Sequence, residues 1–352
     1  MTNFLQQILN GIYLGSMYAL IALGYTMVYG VMRLINFAHG DVYMFGAFMG
    51  YYLARWNTGQ SQQSSLPHAL VIMIGAMILS AMLGILIERF AYRPGRERAR
   101  FTLAFWLGIL GAVIGHFVMP VLWALAAGAL VGVAIGLMLE RYAIRKVRRA
   151  SRLALLILAI GVSFLLENAG QLVFGADPKF FPQIIPANQL NFAGLSINNQ
   201  QVTVFVVAIA LMFLLTAIVN YTKTGKAMRA VSFNIDAAKL MGINTDRIIA
   251  ITFALGSALA AAGGILVSLN YPKIDPLMGI LPGLKAFVAA VLGGIGNIPG
   301  AMLGGFIIGI AEVMTVGYLQ STYRDAIAFS ILILILLLKP AGILGKGLVE
   351  KV

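Results

Sequence analysis

Residues 68–100 read HALVIMIGAMILSAMLGILIE and then RFAYRPGRERAR, and this step from an apolar run to a basic segment decides the fold. The first part matches the roughly 20 apolar residues that a helix needs to cross the hydrocarbon core of a bilayer. A cationic side chain costs roughly 2.5–3.5 kcal/mol at the centre of a membrane helix, and basic loops stay in the cytoplasm. The stretch therefore predicts a transmembrane helix over residues 68–88 that ends in the cytoplasm.

The same alternation continues along the whole chain. Further basic residues concentrate in residues 141–152, in residues 223–247 and from Lys339 onward, with Arg33 in a short turn of its own. The chain is 60% hydrophobic and 11% charged, whereas soluble domains carry about 25% charged residues. We therefore predict an all-α fold, a polytopic membrane helix bundle of about 9–11 transmembrane helices in a single domain over residues 1–352. The candidate spans are residues 8–31, 38–54, 68–88, 102–119, 121–140, 153–174, 202–221, 248–270, 284–296, 300–318 and 325–338.

The positions of the cations also predict the orientation. With the N-terminus outside, alternation of the spans places every basic segment on the inner side, and the C-terminus is cytoplasmic. The outer segments keep only Arg55, Lys179, Lys273 and Arg324, with Lys285 at the outer mouth of a span. Because the positive-inside rule accounts for the net charge of +13, the charge predicts contact with membrane lipid and no nucleic-acid partner.

The sequence offers little for catalysis. The absence of cysteine and the presence of only three histidines exclude thiolate and His-rich metal sites, so no metal site is predicted. Motifs of hydrolases, metalloproteases and phosphate-binding loops are missing. We therefore predict that the chain is not an enzyme, and that any uphill transport draws on ATP hydrolysis by another chain or on an ion gradient. The polar residues within spans are His39, Asp41, Glu167, Asn168 and Glu312, and such groups usually face the bundle interior or a water path.

Residues 284–300 predict a helix broken by glycine and proline. A helix over residues 284–296 would be about 20 Å long, short of the roughly 30 Å hydrocarbon core. Such half-length helices are tolerated where they are buried in protein or line a water-filled cavity, and the alternative is a kink between two packed helices. The residues responsible are Pro272, Pro276 and Pro282 before the helix and Gly293, Gly294, Gly296, Pro299 and Gly300 within the region.

An internal copy predicts an added helical hairpin. The segment Gly84–Arg93, GILIERFAYR, recurs as Gly136–Arg145, GLMLERYAIR, and both copies end an apolar span on the inner side. Residues 101–140 between them then form a hairpin that leaves the topology unchanged. Coincidence is the alternative, because many membrane helices end in Glu-Arg.

The inner segment at residues 222–247 predicts a short cytoplasmic helix for docking. Residues with small or apolar side chains recur there at helical spacing, Gly242 stops the helix, and Asn244 or Thr245 caps the next one. Close docking of another protein fits this small-residue face, whereas an interfacial helix on lipid is the alternative favoured by the basic residues. The face consists of Ala227, Ala230, Val231, Asn234, Ala238 and Met241, and the basic residues are Lys223, Lys226 and Arg229.

This segment resembles the ATPase-contacting loop of the permeases of ATP-binding cassette (ABC) importers for branched-chain amino acids. Three further stretches resemble the same family: residues 24–41, GYTMVYGVMRLINFAHGD, residues 252–264, TFALGSALAAAGG, and residues 283–305, GLKAFVAAVLGGIGNIPGAMLGG. The resemblance covers most of residues 8–345, and the runs NFAHG and GGIGNIPG are quite specific. The added hairpin departs from the compact family pattern.

The resemblance implies a membrane-spanning permease subunit in the inner membrane of a bacterium. A periplasmic solute-binding protein would meet the outer loops, among them the polar residues 176–200. A second permease subunit, related or identical, would share the pathway. Two cytoplasmic ATPase subunits would bind ATP and Mg, so this chain needs no cofactor of its own. By motif match the ATPase contact falls on Gly225, Ala227, Arg229, Ala230, Asp236, Ala237, Ala238 and Gly242.

For the translocation pathway we predict residues near the start of the second span, one acidic residue deep in the sixth span and the glycines of the broken helix. Glycine lets backbone polar groups face the solute, while close helix packing is the alternative role for the same residues. The set is Asn36, Phe37, His39, Asp41, Glu167, Gly293, Gly294 and Gly296.

Leucine, isoleucine and valine are the solutes that the resemblance implies. A urea or short-amide importer is the nearest alternative, because its permeases are similar throughout. An ion-coupled secondary carrier and a scaffold for partner subunits are alternatives of other classes.

Overall fold

A computed structural model describes residues 2–32, 35–58, 66–93, 152–185, 188–192 and 195–345 of the chain. Nearly all of this part is helical, and seven of its helices are long and apolar enough to cross a membrane. The helices are α1 (Thr2–Met32), α2 (His39–Thr58), α3 (Leu66–Ile87), α4 (Arg152–Phe174), α5 (Asn199–Tyr221), α6 (Lys223–Phe233), α7 (Ile235–Leu240), α8 (Thr245–Asn270), α9 (Ile280–Gly293), α10 (Ile298–Tyr318) and α11 (Arg324–Leu338).

The predicted polytopic helix bundle is confirmed. Within the described residues, each predicted span has a helix at its position, and only the short α6 and α7 fall between spans. A π-helical turn at Glu88–Tyr92 extends α3 at its C-terminal end. The predicted hairpin at residues 101–140, the second copy of the repeat at residues 136–145 and the turn residue Arg33 lie outside the described residues.

Four short strands gather at the end of the bundle that the charge pattern predicts to be external. β1 (Lys179–Phe180) pairs antiparallel with β4 (Lys273–Ile274), and β2 (Gln189–Phe192) pairs with β3 (Leu195–Asn198). The Gln6 side chain ties the start of α1 to β3, since its amide nitrogen donates to the Ser196 carbonyl at 2.9 Å and its oxygen accepts from the Ser196 N–H at 3.0 Å. These contacts agree with the predicted alternation of the spans.

Helix α1 is the centre of the bundle. Its most apolar window is 94% buried inside the chain, against 72% for α8 and 6% for the window that contains α11. α1 lies antiparallel to α10, where a side chain at Gly15 would overlap Phe306 and one at Gly305 would overlap Ala19. Because lipid tails are as apolar as leucine, membrane helices associate through such close backbone packing of small residues. The spacing of the glycines therefore determines which of the apolar helices pack closely at the centre of the bundle.

The predicted break in the chain near residues 284–300 is confirmed. α9 has 14 residues, which makes it about 21 Å long and too short to cross the hydrocarbon core unaided. Gly294 and Gly296 follow with φ of 102° and 92°, in the left-handed region that glycine enters readily. Asn297 then caps α10 by accepting the Gly300 N–H at 3.2 Å. The break is a tight turn between two antiparallel helices.

Candidate functional site

The segment of residues 222–247 forms two short capped helices at the predicted cytoplasmic end. The Thr222 hydroxyl accepts the Gly225 N–H at 3.0 Å to begin α6, and the Asn234 side chain accepts the Asp236 and Ala237 N–H groups to begin α7. Gly242, with φ of 80°, follows α7. The Asn244 side chain accepts the Arg247 N–H at 3.0 Å, so the predicted stop and cap are confirmed. Capping on both helices gives this segment a defined shape.

The predicted ATPase-contacting residues divide between the bundle and the surface. Gly225 and Ala238 are buried, and a side chain at Gly225 would overlap the backbone at the end of α5. The Arg229 guanidinium donates to the Val219 carbonyl and fixes α6 against α5. Ala227 and Ala230 are half-buried. The exposed members of the set are Arg229, Asp236, Ala237 and Gly242.

Large apolar side chains cover the free side of this segment. Phe233, Leu240 and Met241 are 87%, 89% and 82% exposed. Part of the predicted small-residue face, by contrast, packs on the bundle, since Val231 and Ala238 are buried. The prediction of one helix is wrong, because Asn234 has an extended backbone that ends α6 and caps α7. The sequence spacing also did not show which side faces outward, since that depends on how α5 and α8 support the segment. We call Phe233, Leu240 and Met241 the coupling surface.

The side chains of Asn36, His39 and Asp41 are buried and make contacts between helices. The Tyr92 hydroxyl donates to Asn36 Oδ1 at 2.7 Å, and the Ser163 hydroxyl on α4 donates to Asp41 Oδ2 at 2.5 Å. The His39 ring lies 4.6 Å from the Tyr25 ring, centroid to centroid. These side chains connect the start of α2 to α1, to α4 and to the turn after α3.

The other predicted pathway residues lie in different places. Phe37 is half-buried with its ring 6.3 Å from that of Phe287 on α9, and Glu167 is half-buried on α4. Gly293 lies against the backbone of Gly300, where a side chain would overlap it. Gly296 is exposed. The structure therefore does not gather the predicted set around one cavity.

The segment that contains Ile343 and Leu344, near the C-terminus, is hydrogen-bonded to the turn after α9. The Ile343 N–H donates to the Leu292 carbonyl at 2.8 Å and the Leu344 N–H donates to the Gly293 carbonyl at 3.0 Å. The Asn297 amide donates to the Leu344 carbonyl at 2.7 Å. A side chain at Gly294 would overlap this segment. The glycines of the turn allow close packing of backbones here.

A buried ionic cluster lies on the opposite half of α9 and α10. The Lys285 ammonium is 2.8 Å from Glu312 Oε1 and 2.6 Å from Asp325 Oδ1, and Arg324 Nε is 2.9 Å from Glu312 Oε2. The Tyr18 hydroxyl of α1 also donates to Glu312 Oε2, at 3.0 Å. Glu312 is fully buried and Lys285 is 5% exposed. The cluster joins four helices through one carboxylate.

A cavity of about 210 Å³ adjoins this cluster near the predicted external end. Its polar lining consists of three tyrosines and two cations, and its apolar lining comes from α1, α8 and the approach to α9. We call it the outer cavity. The polar residues are Tyr18, Tyr43, Tyr271, Lys273 and Arg324, and the apolar ones are Leu14, Met17, Ile21, Val267, Met278 and Pro282. Sequence analysis placed Lys273 and Arg324 outside but gave no signal that they share a cavity.

A second cavity of about 230 Å³ lies at the predicted cytoplasmic end, between the end of α3 and the start of α8. Its lining includes Glu88, Arg89 and Arg247, together with Arg93 and Asp246, which form an ion pair at 2.8 Å. None of the predicted pathway residues lines either cavity.

Comparison with known proteins gives consistent matches along the chain. The family model described as "Branched-chain amino acid transport system / permease component" matches residues 7–119 and 101–337. The high-affinity branched-chain amino acid transport system permease protein LivH of Escherichia coli (strain K12) is 39% identical over 99% of this chain and 98% of its own length. The corresponding protein BraD of Pseudomonas aeruginosa has the same identity and coverage.

A more distant relative is archaeal. The probable branched-chain amino acid transport permease protein LivH of Methanocaldococcus jannaschii is 31% identical over 67% of this chain and 76% of its own length. No solved structure matches the chain significantly.

Proposed function

The chain belongs to the family of branched-chain amino acid transport permeases, and from that membership we propose that it is the membrane-spanning subunit of a bacterial ABC importer for leucine, isoleucine and valine. The observation that carries the proposal is the 39% identity, over nearly the full length of both chains, to relatives named for high-affinity branched-chain amino acid transport. These names also favour branched-chain amino acids over urea or short amides as the solute.

The proposed complex contains further chains besides this one. A periplasmic solute-binding protein meets the strands at the external end, and a second permease, related or identical, shares the pathway. Two ATPase subunits dock at the cytoplasmic end and hold the ATP and Mg, so this chain carries no cofactor. The complex resides in the inner membrane with the C-terminus of this chain in the cytoplasm.

The coupling surface supports ATPase docking by its exposure and its anchoring. An apolar patch open to water is costly unless a partner covers it. Phe233 ends α6, Leu240 ends α7 and Met241 follows α7. Because Gly225 packs on α5 and Arg229 bonds to the Val219 carbonyl, a displacement of α6 by the ATPase moves the end of α5 with it. This connection is the proposed route from ATP hydrolysis to the membrane helices.

Transport by the reconstituted complex tests the proposal. Vesicles containing both permeases and both ATPases, with ATP enclosed and the binding protein outside, are expected to take up labelled leucine but not urea. Uptake is expected to stop when ATP is replaced by a non-hydrolysable analogue. Leucine uptake by this chain alone under a proton or sodium gradient would contradict the proposal and establish a secondary carrier. Uptake of urea in preference to leucine would overturn the solute assignment.

A further inference from the structure

The lining of the outer cavity combines apolar side chains with cations and tyrosine hydroxyls. The volume of the cavity is about 210 Å³. This corresponds to the volume of about seven water molecules at about 30 Å³ each, which is comparable to a small amino acid. Apolar side chains of α1 and α8 form one side, and Lys273, Arg324 and three tyrosines form the other. Among the described residues that line the cavity, none carries a carboxylate. Such a cavity suits a ligand with one apolar group and one anionic group.

Arg324 presents more donors than its anchor takes up. Its Nε donates to Glu312 Oε2 at 2.9 Å, and the Tyr18 hydroxyl, which shares that carboxylate, is within hydrogen-bonding reach of the guanidinium. A guanidinium carries five N–H donors in a planar fork that matches a carboxylate in two parallel bonds. The side chain is 37% exposed, so the remaining donors are open to a ligand.

The ionic cluster fixes the position of this guanidinium. Glu312 is fully buried and holds Arg324 on one oxygen and Lys285 on the other. The cluster contains two cations, Lys285 and Arg324, and two carboxylates, Glu312 and Asp325, so its charges balance and Arg324 offers a ligand its directed N–H donors. Asp325 contacts Lys285 and is not part of the cavity lining. A buried anchor of this kind holds the donors in place before a ligand arrives.

Tyr43 adds an independent indication of a ligand. Its side chain is 1% exposed and lines the cavity, yet its hydroxyl has no hydrogen-bond partner among the described residues. Buried hydroxyls are nearly always hydrogen-bonded, and an exception requires an explanation. A polar group of a bound ligand in the outer cavity supplies the missing partner.

We propose that the outer cavity binds one branched-chain α-amino acid within the permease itself. The ligand carboxylate lies on Arg324, its ammonium lies among the tyrosine hydroxyls with Tyr43 foremost, and its aliphatic side chain contacts Met17, Ile21 and Val267. The site would receive the amino acid from the binding protein before it moves further inward. This inference rests on the proposed function, because it takes the solute class from there.

Direct binding to the membrane complex, without the binding protein, is the test. Saturation-transfer NMR on the permease–ATPase complex in nanodiscs, with leucine at millimolar concentration, detects even weak contact with the leucine methyl groups. We expect saturation transfer from the complex to leucine. We also expect leucinamide, which lacks the carboxylate, to bind more weakly than leucine. Arg324→Gln is expected to weaken leucine binding about tenfold or more, since hydrogen bonds between charged groups are the strong ones, and to remove the preference over leucinamide.

Tyr43→Phe is the second variant, because it keeps the ring and removes only the hydroxyl. We expect a threefold to tenfold loss of leucine affinity, the range for one hydrogen bond. Matched controls at the same end of the bundle are Arg55→Gln and Tyr51→Phe, whose side chains contact each other at 2.8 Å outside the cavity. Neither control is expected to change leucine binding.

The results of these experiments distinguish a failure of the proposed site from a failure of the proposed function. If the complex carries out ATP-driven leucine uptake but shows no transfer to leucine, or if Arg324→Gln and Tyr43→Phe bind leucine like the controls, the site is wrong and the proposed function stands. If Arg324→Gln lowers the yield of assembled complex, Tyr43→Phe and the leucinamide comparison still decide the question. If the intact complex hydrolyses ATP but imports no leucine, the proposed function itself fails.

Discussion

Replacement of Glu312 by glutamine tests the role of the buried ionic cluster in stability. The carboxylate is fully buried and is shared by Lys285, Arg324 and Tyr18. Removing one partner of a buried ion pair costs about 3–5 kcal/mol because an uncompensated charge remains. Lys285 keeps Asp325, which is 50% exposed, so we expect the lower end, about 3 kcal/mol. At about 2 °C per kcal/mol, the unfolding midpoint falls by about 6 °C.

Thermal unfolding of the detergent-solubilised chain, followed by size-exclusion chromatography after heating, measures this shift. Glu167→Gln is the matched control, because Glu167 is half-buried and forms no hydrogen bond or ion pair with the described residues. The pair of changes Lys285→Met and Glu312→Leu removes both charges together. We expect this double variant to be more stable than Glu312→Gln, since replacing a buried pair by apolar residues is often neutral.

The reasoning would be refuted by a midpoint for Glu312→Gln within about 1 °C of the control. It would be refuted equally by a double variant whose destabilisation equals the sum of the two single changes, because coupled residues are not additive.

Three further changes test other parts of the account. Phe233→Asp on the coupling surface is expected to lower ATP-driven leucine uptake at least tenfold while the chain remains folded, as measured in vesicles and by thermal unfolding, because a charge replaces an apolar contact with the ATPase. Gly305→Val is expected to destabilise the chain by about 1–3 kcal/mol, the usual cost of overpacking, because its side chain overlaps Ala19; a lowered unfolding midpoint shows this. Tyr92→Phe is expected to cost about 1–3 kcal/mol in the same assay, since Asn36 Oδ1 loses the hydroxyl that donates to it.

Controls for these variants come from the same chain. Phe233→Leu keeps an apolar side chain at the same exposed position, and normal ATP-driven leucine uptake is expected of it. If Phe233→Asp transports like Phe233→Leu, the coupling surface has been misassigned. Gly161→Val places a side chain where nothing lies within 4 Å, and a midpoint shared by Gly161→Val and Gly305→Val would contradict the packing argument.

The sequence predicts the helices well because each depends on local information. Apolar runs and basic segments determine where the spans lie. The span predicted at residues 202–221, for example, agrees with the helix observed at Asn199–Tyr221. The break after Gly293 and the cap at Asn244 are also local, since glycine and asparagine act on their own backbone neighbours. These features need no knowledge of which helices touch.

The site could not be predicted to the same degree, because it depends on partners far apart in the chain. Lys285 and Glu312 each stand out in the sequence, but their pairing requires α9 and α10 to lie antiparallel with Gly304 against Ala289. The hydroxyl of Tyr18 meets them from α1, 294 residues away from Glu312. The predicted pathway residues share polarity or glycine content, and neither property distinguishes a contact between helices from the wall of a cavity.

The side of the membrane on which the coupling surface lies is the central claim, and single-cysteine labelling tests it most directly. The chain contains no cysteine, so Leu240→Cys and Leu319→Cys each provide one reactive thiol at positions that are 89% and 68% exposed. In intact cells whose outer membrane has been permeabilised, a membrane-impermeant maleimide is expected to label Leu319→Cys at once and Leu240→Cys only after the inner membrane is opened. Labelling of Leu240→Cys in intact cells would contradict both the orientation and the proposed ATPase docking.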